Sequence, residues 1–167
     1  FFDTYLNEWK STVAGLKATF DVVIIDCPPS LGGIPNVALL VSDEVIIPVQ
    51  CEYYAMEGLS QILPVIADLQ RKRNEDLAIG GLLLTMYSKD LELSGEVSNE
   101  LRGYFGDLVF ESTIPRDVTL AESSSHGLPV AYYDFYCRGA WSYLNLTREV
   151  MANERAKAGT RTGEPAR

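Results

Sequence analysis

Asp26 is the residue in this sequence whose type and position most directly imply chemistry. It closes the unbroken apolar run Val22-Val23-Ile24-Ile25 and is followed at once by Cys27-Pro28-Pro29. A carboxylate at the end of a buried strand can hold a magnesium ion, directly or through water, beside nucleotide phosphates. The prolines remove two backbone donors, fix φ and press Cys27 and Pro28 into extended conformations. The strand then stops and the chain leaves as a stiff loop. A plain strand-ending turn accounts for the same residues, and the pattern by itself leaves both readings open. Other reactive types are thinner. His126 is the single histidine, and no serine or cysteine motif surrounds it to make a nucleophilic triad. The serines of "ESSSH" at 122–126 read as capping and turn residues. Cys27, Cys51 and Cys137 are odd in number and widely spaced, which fits neither a disulfide framework nor a zinc site. They read as reduced thiols of a cytosolic protein.

The elements that must position Asp26 follow from periodicity. Phe2, Tyr5, Leu6, Trp9, Val13, Leu16 and Phe20 recur at steps of three and four, the pattern of an amphipathic helix. Val22 to Ile25 has the composition of a strand covered on both faces, as in parallel sheets. A second strand is predicted at Val45-Ile46-Ile47-Pro48-Val49, after a short apolar stretch around Val37 to Val41. A helix is predicted over 57–73, a third strand over 78–86 and a helix over 94–105. A short fourth strand is predicted in "LVFESTIP" (108–115), and a closing helix around Trp141 to Val150. From Asn153 to Arg167 the apolar residues thin out, which predicts a disordered tail after a single domain of residues 1–152. Strands alternating with helices mean an α/β fold with a mainly parallel sheet and helices on both faces. In such sheets ligands sit beyond the carboxyl ends of the strands, where Asp26 would project.

Bulk composition narrows the classes. A chain of 167 residues is long enough for one domain with a sizeable core. A formal net charge of −9 argues against a generally basic, nucleic-acid-coating surface. No apolar run reaches the roughly 18 residues of a membrane span, and the tail "NERAKAGTRTGEPAR" has no apolar face for a membrane-surface helix.

Four stretches, "FDVVIIDCPPSLG", "DEVIIPVQCEYYAMEGL", "LLLTMY" and "STIPRDVTLAESSSHGLPV", occur in this order. Together they resemble the ParA/Soj group of partitioning ATPases, relatives of MinD with a deviant Walker A motif. The resemblance covers roughly residues 5 to 152. It implies a P-loop NTPase fold, ATP and Mg2+ as ligands, and an ATP-dependent homodimer in the cytoplasm, associated with the nucleoid where it binds DNA. It also implies non-specific DNA binding and hydrolysis stimulated by a ParB-like centromere-binding partner. By this resemblance Asp26 matches the Walker B aspartate near the magnesium and attacking water. Cys27 to Gly32, including Pro28, match the switch segment that senses the γ-phosphate. Gln50, Cys51 and Glu52 match a loop near the dimer interface. Pro115 and Arg116, with Met86 nearby, match the segment lying against the base. A Walker A loop requires glycine followed by lysine, and none of the 13 glycines is so followed. The chain therefore reads as the C-terminal two-thirds of such an ATPase, lacking the P-loop unit and inactive alone. A MinD-like or orphan ATPase that positions a protein cargo, or a non-enzymatic module that lost the phosphate site, are the alternative readings.

The resemblance breaks at positions that matter for DNA. Asp90, Gly95, Thr119 and Leu128 stand where cations are usual in the family. The remaining basic groups are Arg71, Lys72 and Arg73, read as a solvated helix end, and Arg155, Lys157 and Arg161. Tyr132, Tyr133, Phe135 and Tyr136 lack interleaved cations and read as packing under the last helix rather than a base-stacking platform. DNA binding is accordingly expected to be weak. Each neutralised phosphate contributes about 0.9 to the slope of log affinity against log salt. Titration of random duplex by the ATP-bound full-length protein should give a shallow slope, whereas a slope of about six or more would show that the cations had moved elsewhere.

Overall fold

A computed structural model describes residues 2–28 and 32–162. The chain divides into two compact units, residues 1–45 with 57–80 and residues 46–56 with 81–167. The elements in order are α1 (Phe2–Lys17), α2 (Gly33–Val41), β1 (Glu44–Gln50), α3 (Ala55–Lys72), β2 (Ala78–Thr85) and α4 (Glu92–Phe105). A 3-10 turn (Gly106–Leu108), α5 (Val118–Ser125), α6 (Val130–Tyr133) and α7 (Arg138–Thr162) follow. Among the described residues no helix is long and apolar enough to cross a membrane.

In the first unit, Leu6 and Val13 lie two turns apart on α1 and pack with Val37, Leu40 and Val41 of α2. Trp9, Ile25 and Leu69 close the cluster. The Asn74 amide nitrogen donates to the carbonyls of Leu39 (2.9 Å) and Ser42 (3.0 Å), satisfying acceptors that the end of α2 leaves without helical partners. Lys17 at the end of α1 pairs with Asp43 at 2.6 Å.

β1 and β2 form a two-stranded sheet. Ala78 N–H donates to Asp43 O at one end (2.9 Å) and Cys51 N–H to Thr85 O at the other (3.0 Å), so the strands run parallel. Pro48 interrupts β1 without cost to this ladder because, among the described residues, β1 is paired on one side only. In the second unit, Leu83 of β2 packs with Phe110 and Ile114, joined by Leu120, Leu146 and Val150. Gly81 of β2 has no alternative here: a Cβ would lie 2.5 Å from the Phe110 ring.

Two of the four expected strands form as elements. Residues 22–28 adopt no regular structure, and Val22 and Ile24 are 53% and 87% exposed. The apolar run has strand composition, but a strand exists only where its amides and carbonyls meet a neighbour. Residues 108–115 run beside β2 through two isolated parallel bridges, Leu82 with Val109 and Tyr87 with Pro115. Phe110 N–H meets Leu82 O and Ile114 N–H meets Leu84 O. Four residues here advance against two on β2, a bulge that a regular ladder cannot absorb. The displaced amides go to one carboxylate on α7: Glu149 accepts from Glu111 N–H (2.6 Å) and Ser112 N–H (2.9 Å).

One helical stretch is unassigned by the sequence pattern and another departs from expectation. The apolar residues 37–41 belong to the helix α2, and α7 continues to Thr162 where disorder was expected from Asn153. Ala152, Glu154, Arg155, Ala156 and Lys157 are strong helix formers, and Lys157 pairs with Glu154 one turn back, so this stretch needs no apolar face. Residues 163–167 lie outside the described residues.

The double acceptor role of Glu149 sets a test. Glu149→Ala leaves two amides without their partner and should destabilise the chain by about 1–3 kcal/mol, with Glu149→Gln intermediate because it keeps one acceptor oxygen. Urea midpoints at constant m-value measure this. An alanine effect below about 0.5 kcal/mol would mean that the bulge has another support.

Candidate functional site

The first unit carries Asp26, Pro28 and Gly32. Ile25 anchors its segment in the α1–α2 core, and the next three residues, Asp26, Cys27 and Pro28, emerge exposed. Although Cys27 is exposed, partial desolvation pushes its thiol up from the ordinary range and the neighbouring Asp26 charge adds to the shift, which disfavours the thiolate. Pro29, Ser30 and Leu31 of the expected switch lie outside the described residues. The chain resumes at Gly32 (φ 113°) and Gly33 (φ 49°), conformations that side chains resist, and these lead into α2. No capping side chain and no acidic residue occupies the first turn of α2. Among the described residues no side chain caps its leading amides, which water or an anionic ligand can meet.

The donor set limits what metal would suit Asp26. Among the described residues no group of three or more His, Cys, Asp or Glu side chains is placed to hold a metal ion. A single exposed carboxylate suits magnesium, which keeps most of its waters and binds through one or two carboxylates together with substrate phosphates. It does not suit a protein-caged zinc or calcium ion.

The second unit brings Met86, Pro115 and Arg116 together. Met86, directly after β2, is the one non-glycine residue with positive φ (53°) among those described, a conformation that costs energy and is held by its surroundings. Tyr87 N–H donates to Ile114 O and Arg116 N–H to Tyr87 O, both at 3.0 Å, fixing Pro115 between them. The Arg116 guanidinium then reaches Glu52 Oε1 at 2.8 Å. The sequence places Glu52 in a loop after β1 but gives no sign of this partner, which is 64 residues away. Cys51, next to it, is buried, and burial pushes its thiol up to about 11, an inert packing role.

Asp117 is a second residue that sequence reasoning missed. It is the N-cap of α5, accepting from Thr119 N–H through Oδ1, while Oδ2 accepts from Gly139 N–H in the first turn of α7, both at 3.0 Å. One carboxylate thus ties two helix starts to the residue after Arg116. The Asp-x-Thr spacing is a capping signal that could have been read; the Gly139 contact could not. The reactive-looking residues of α5 are occupied. Ser123 and Ser124 donate to Leu120 O and Ser125 to Ala121 O, while His126 ends the helix and stacks on Tyr133 at 5.1 Å. Phe135 packs on Trp141, but Tyr132 and Tyr136 are 84% and 85% exposed and do not pack under α7 as expected.

Burial works to raise the Asp117 pKa, but hydrogen bonds from Thr119 and Gly139 and the charge of Arg138 outweigh it and hold the carboxyl below its ordinary value. A carboxyl lowered by folding stabilises fully above its unfolded pKa, about 4, and loses that contribution as pH falls through the folded value. Asp117→Asn should therefore flatten the acid limb of stability below about pH 4. Urea midpoints taken across this range measure it, and an unchanged limb would remove Asp117 as its source.

Comparison with known proteins places these segments. A family model described as an AAA domain matches residues 4–79. The chain is 46% identical over 145 residues to the chromosome-partitioning ATPase Soj of Treponema pallidum (strain Nichols), a match covering 87% of this chain and 57% of that protein. It is 49% identical over 144 residues to the sporulation initiation inhibitor protein Soj of Bacillus subtilis (strain 168), covering 86% and 57%. The chain thus spans a little over half the length of these relatives. Among solved structures, cobyrinic acid a,c-diamide synthase from Mycobacterium smegmatis, with bound ATP analogue and magnesium, is similar at a TM-score of 0.59 and 35% identity. That similarity covers 71% of this chain and 54% of the other. The cell division ATPase MinD of Pyrococcus furiosus has a TM-score of 0.70 at 21% identity over 88% of this chain and 58% of its own, which speaks for the α/β fold alone. On the strength of its 46% and 49% identity to these two Soj proteins over most of its length, the chain belongs to the ParA/Soj-type ATPase family.

Proposed function

We propose that this chain supplies the metal side and the base side of an ATP site in a partitioning ATPase that dimerises with ATP bound and hydrolyses it when a ParB-like partner stimulates it. The phosphate cradle is contributed by a Walker A loop elsewhere in the full-length protein. The observation that carries this reading is the exit of Asp26 from the Ile25 anchor, within a chain 46% identical to a chromosome-partitioning ATPase. Magnesium, when bound, supplies charge neutralisation at the phosphates. Asp26 holds it, and Gly32 and the uncapped start of α2 face the γ-phosphate. Met86, Pro115 and Arg116 form the shelf for the base.

The cargo is a chromosome, a plasmid or a protein cluster. Arg71 and Lys72 pair with Asp68 at 2.7 and 2.9 Å on their own exposed helix end, in contacts that water screens and a phosphate can displace.

Asp26→Asn in the full-length protein should lower magnesium-dependent ATP turnover by about a hundredfold or more, the scale of lost metal-held charge stabilisation. It should also raise the magnesium concentration for half-maximal nucleotide binding, with an unchanged circular dichroism spectrum. Turnover within about threefold of wild type would remove Asp26 from the site.

A further inference from the structure

The base shelf is tied to the loop after β1 through one side-chain pair. Cys51 N–H extends the ladder to Thr85 O, and immediately beyond these two residues stand Glu52 and Met86. Tyr87 is bracketed by Ile114 and Arg116, and Arg116 returns to Glu52 at 2.8 Å. Backbone hydrogen bonds therefore fix where Arg116 starts, but its long side chain would turn freely without an anchor. Glu52 is that anchor. A guanidinium held by a carboxylate presents a fixed plane and a fixed fork of donors, which a free arginine does not.

The pair contributes little to global stability. Both side chains are about half exposed, at 54% and 53%, and pairs of that kind are screened and nearly balanced by the side-chain freedom they remove. Two further features share its surroundings. Met86 is held in a strained backbone conformation at the apex of the shelf. On the loop side, Tyr53 and Tyr54 follow Glu52 directly, meet edge to face at 5.2 Å and are 79% and 71% exposed.

We propose that Glu52 is a positioning residue for the nucleotide base. By fixing the Arg116 guanidinium it orients the Met86–Pro115–Arg116 shelf and couples seating of the base to order in the Tyr53–Tyr54 loop. This rests on the functional reading above, which assigns the shelf to the base.

The test uses the full-length protein, with ATP and GTP dissociation constants, urea midpoints and amide hydrogen exchange at 51–54. Glu52→Gln should weaken ATP binding by about two- to fivefold, the range of an exposed pair, and narrow the preference for ATP over GTP. The urea midpoint should stay unchanged. ATP should slow exchange at 51–54 in the wild type and not in Glu52→Gln. Glu52→Asp, which keeps the carboxylate on a shorter stem, should lose less of the affinity and of the exchange response than Glu52→Gln. Unchanged ATP affinity in Glu52→Gln, or a loss in Glu52→Asp as large as in Glu52→Gln, overturns the proposal. Pro115→Ala and Met86→Ala separate the two levels. If they weaken ATP binding while Glu52→Gln does not, only the role of Glu52 fails. If wild-type protein binds no nucleotide, or if neither shelf variant affects binding, the functional reading fails and this one with it.

Discussion

The parallel ladder between β1 and β2 is the constraint on which the second unit's candidate site depends. Parallel pairing brings the carboxyl ends of both strands to the same edge, so the loops that leave them begin side by side. That is why Glu52 and Met86, separated by 34 positions in the chain, follow directly on the hydrogen-bonded pair Cys51 and Thr85. Residues 109–116 then attach to β2 only at its bridges, which leaves Pro115 and Arg116 beyond the strand end rather than in the sheet. Had this segment paired regularly, Ile114 could not lie opposite Leu84 while Phe110 lies opposite Leu82. The bulge takes up two residues against β2 and so sets the register in which Ile114 and Arg116 bracket Tyr87, and Glu149 makes it possible by accepting the amides it displaces.

The same logic explains which parts of the fold were legible in the sequence. Helices α1, α3, α4 and the first half of α7 satisfy their backbone locally, so a period of 3.6 is enough to find them. β1 and β2 were also legible, because their apolar runs find each other. Val22 to Ile25 has an equally apolar run, but its strand character belongs to a neighbour that the described residues do not provide. Residues 108–115 fail for the converse reason: the groups that capture Glu111 and Ser112 sit on a helix more than thirty residues later. Strand pairing is a property of two segments, and a single segment cannot announce it.

The candidate site divides along the same line. Asp26 and Pro28 stand out through their neighbours in sequence, an apolar run and two prolines, whereas Gly32 is singled out by the family resemblance alone. Pro115 and Arg116 were readable only as a motif, and the partner that gives Arg116 its direction was not. No local pattern distinguishes Glu52 from the other acidic residues of an acidic chain. Asp117 was half legible, since its bond to Thr119 is a local capping signal while its bond to Gly139 depends on the placing of α7.

An acidic chain of net charge −9 would ordinarily pay for its charge in self-repulsion. Here several carboxylates are turned to structural use. Glu149 and Asp117 each accept two backbone amides, Asp68 holds two cations and Glu52 holds one. A carboxylate satisfied by amides or guanidinium is withdrawn from metal binding, because its lone pairs are committed and its charge is already compensated. Asp26 is different in kind. The bond its neighbourhood does make, from the Cys27 thiol to Ile25 O, bypasses its carboxylate, and its charge acts on that thiol rather than being neutralised by a cation. Among the described residues, neither an amide nor a cation is paired with this carboxylate at the exit of its anchored segment. Such a carboxylate keeps its lone pairs for a ligand that brings its own charge, the role we propose for it toward a hydrated magnesium ion carried on a nucleotide.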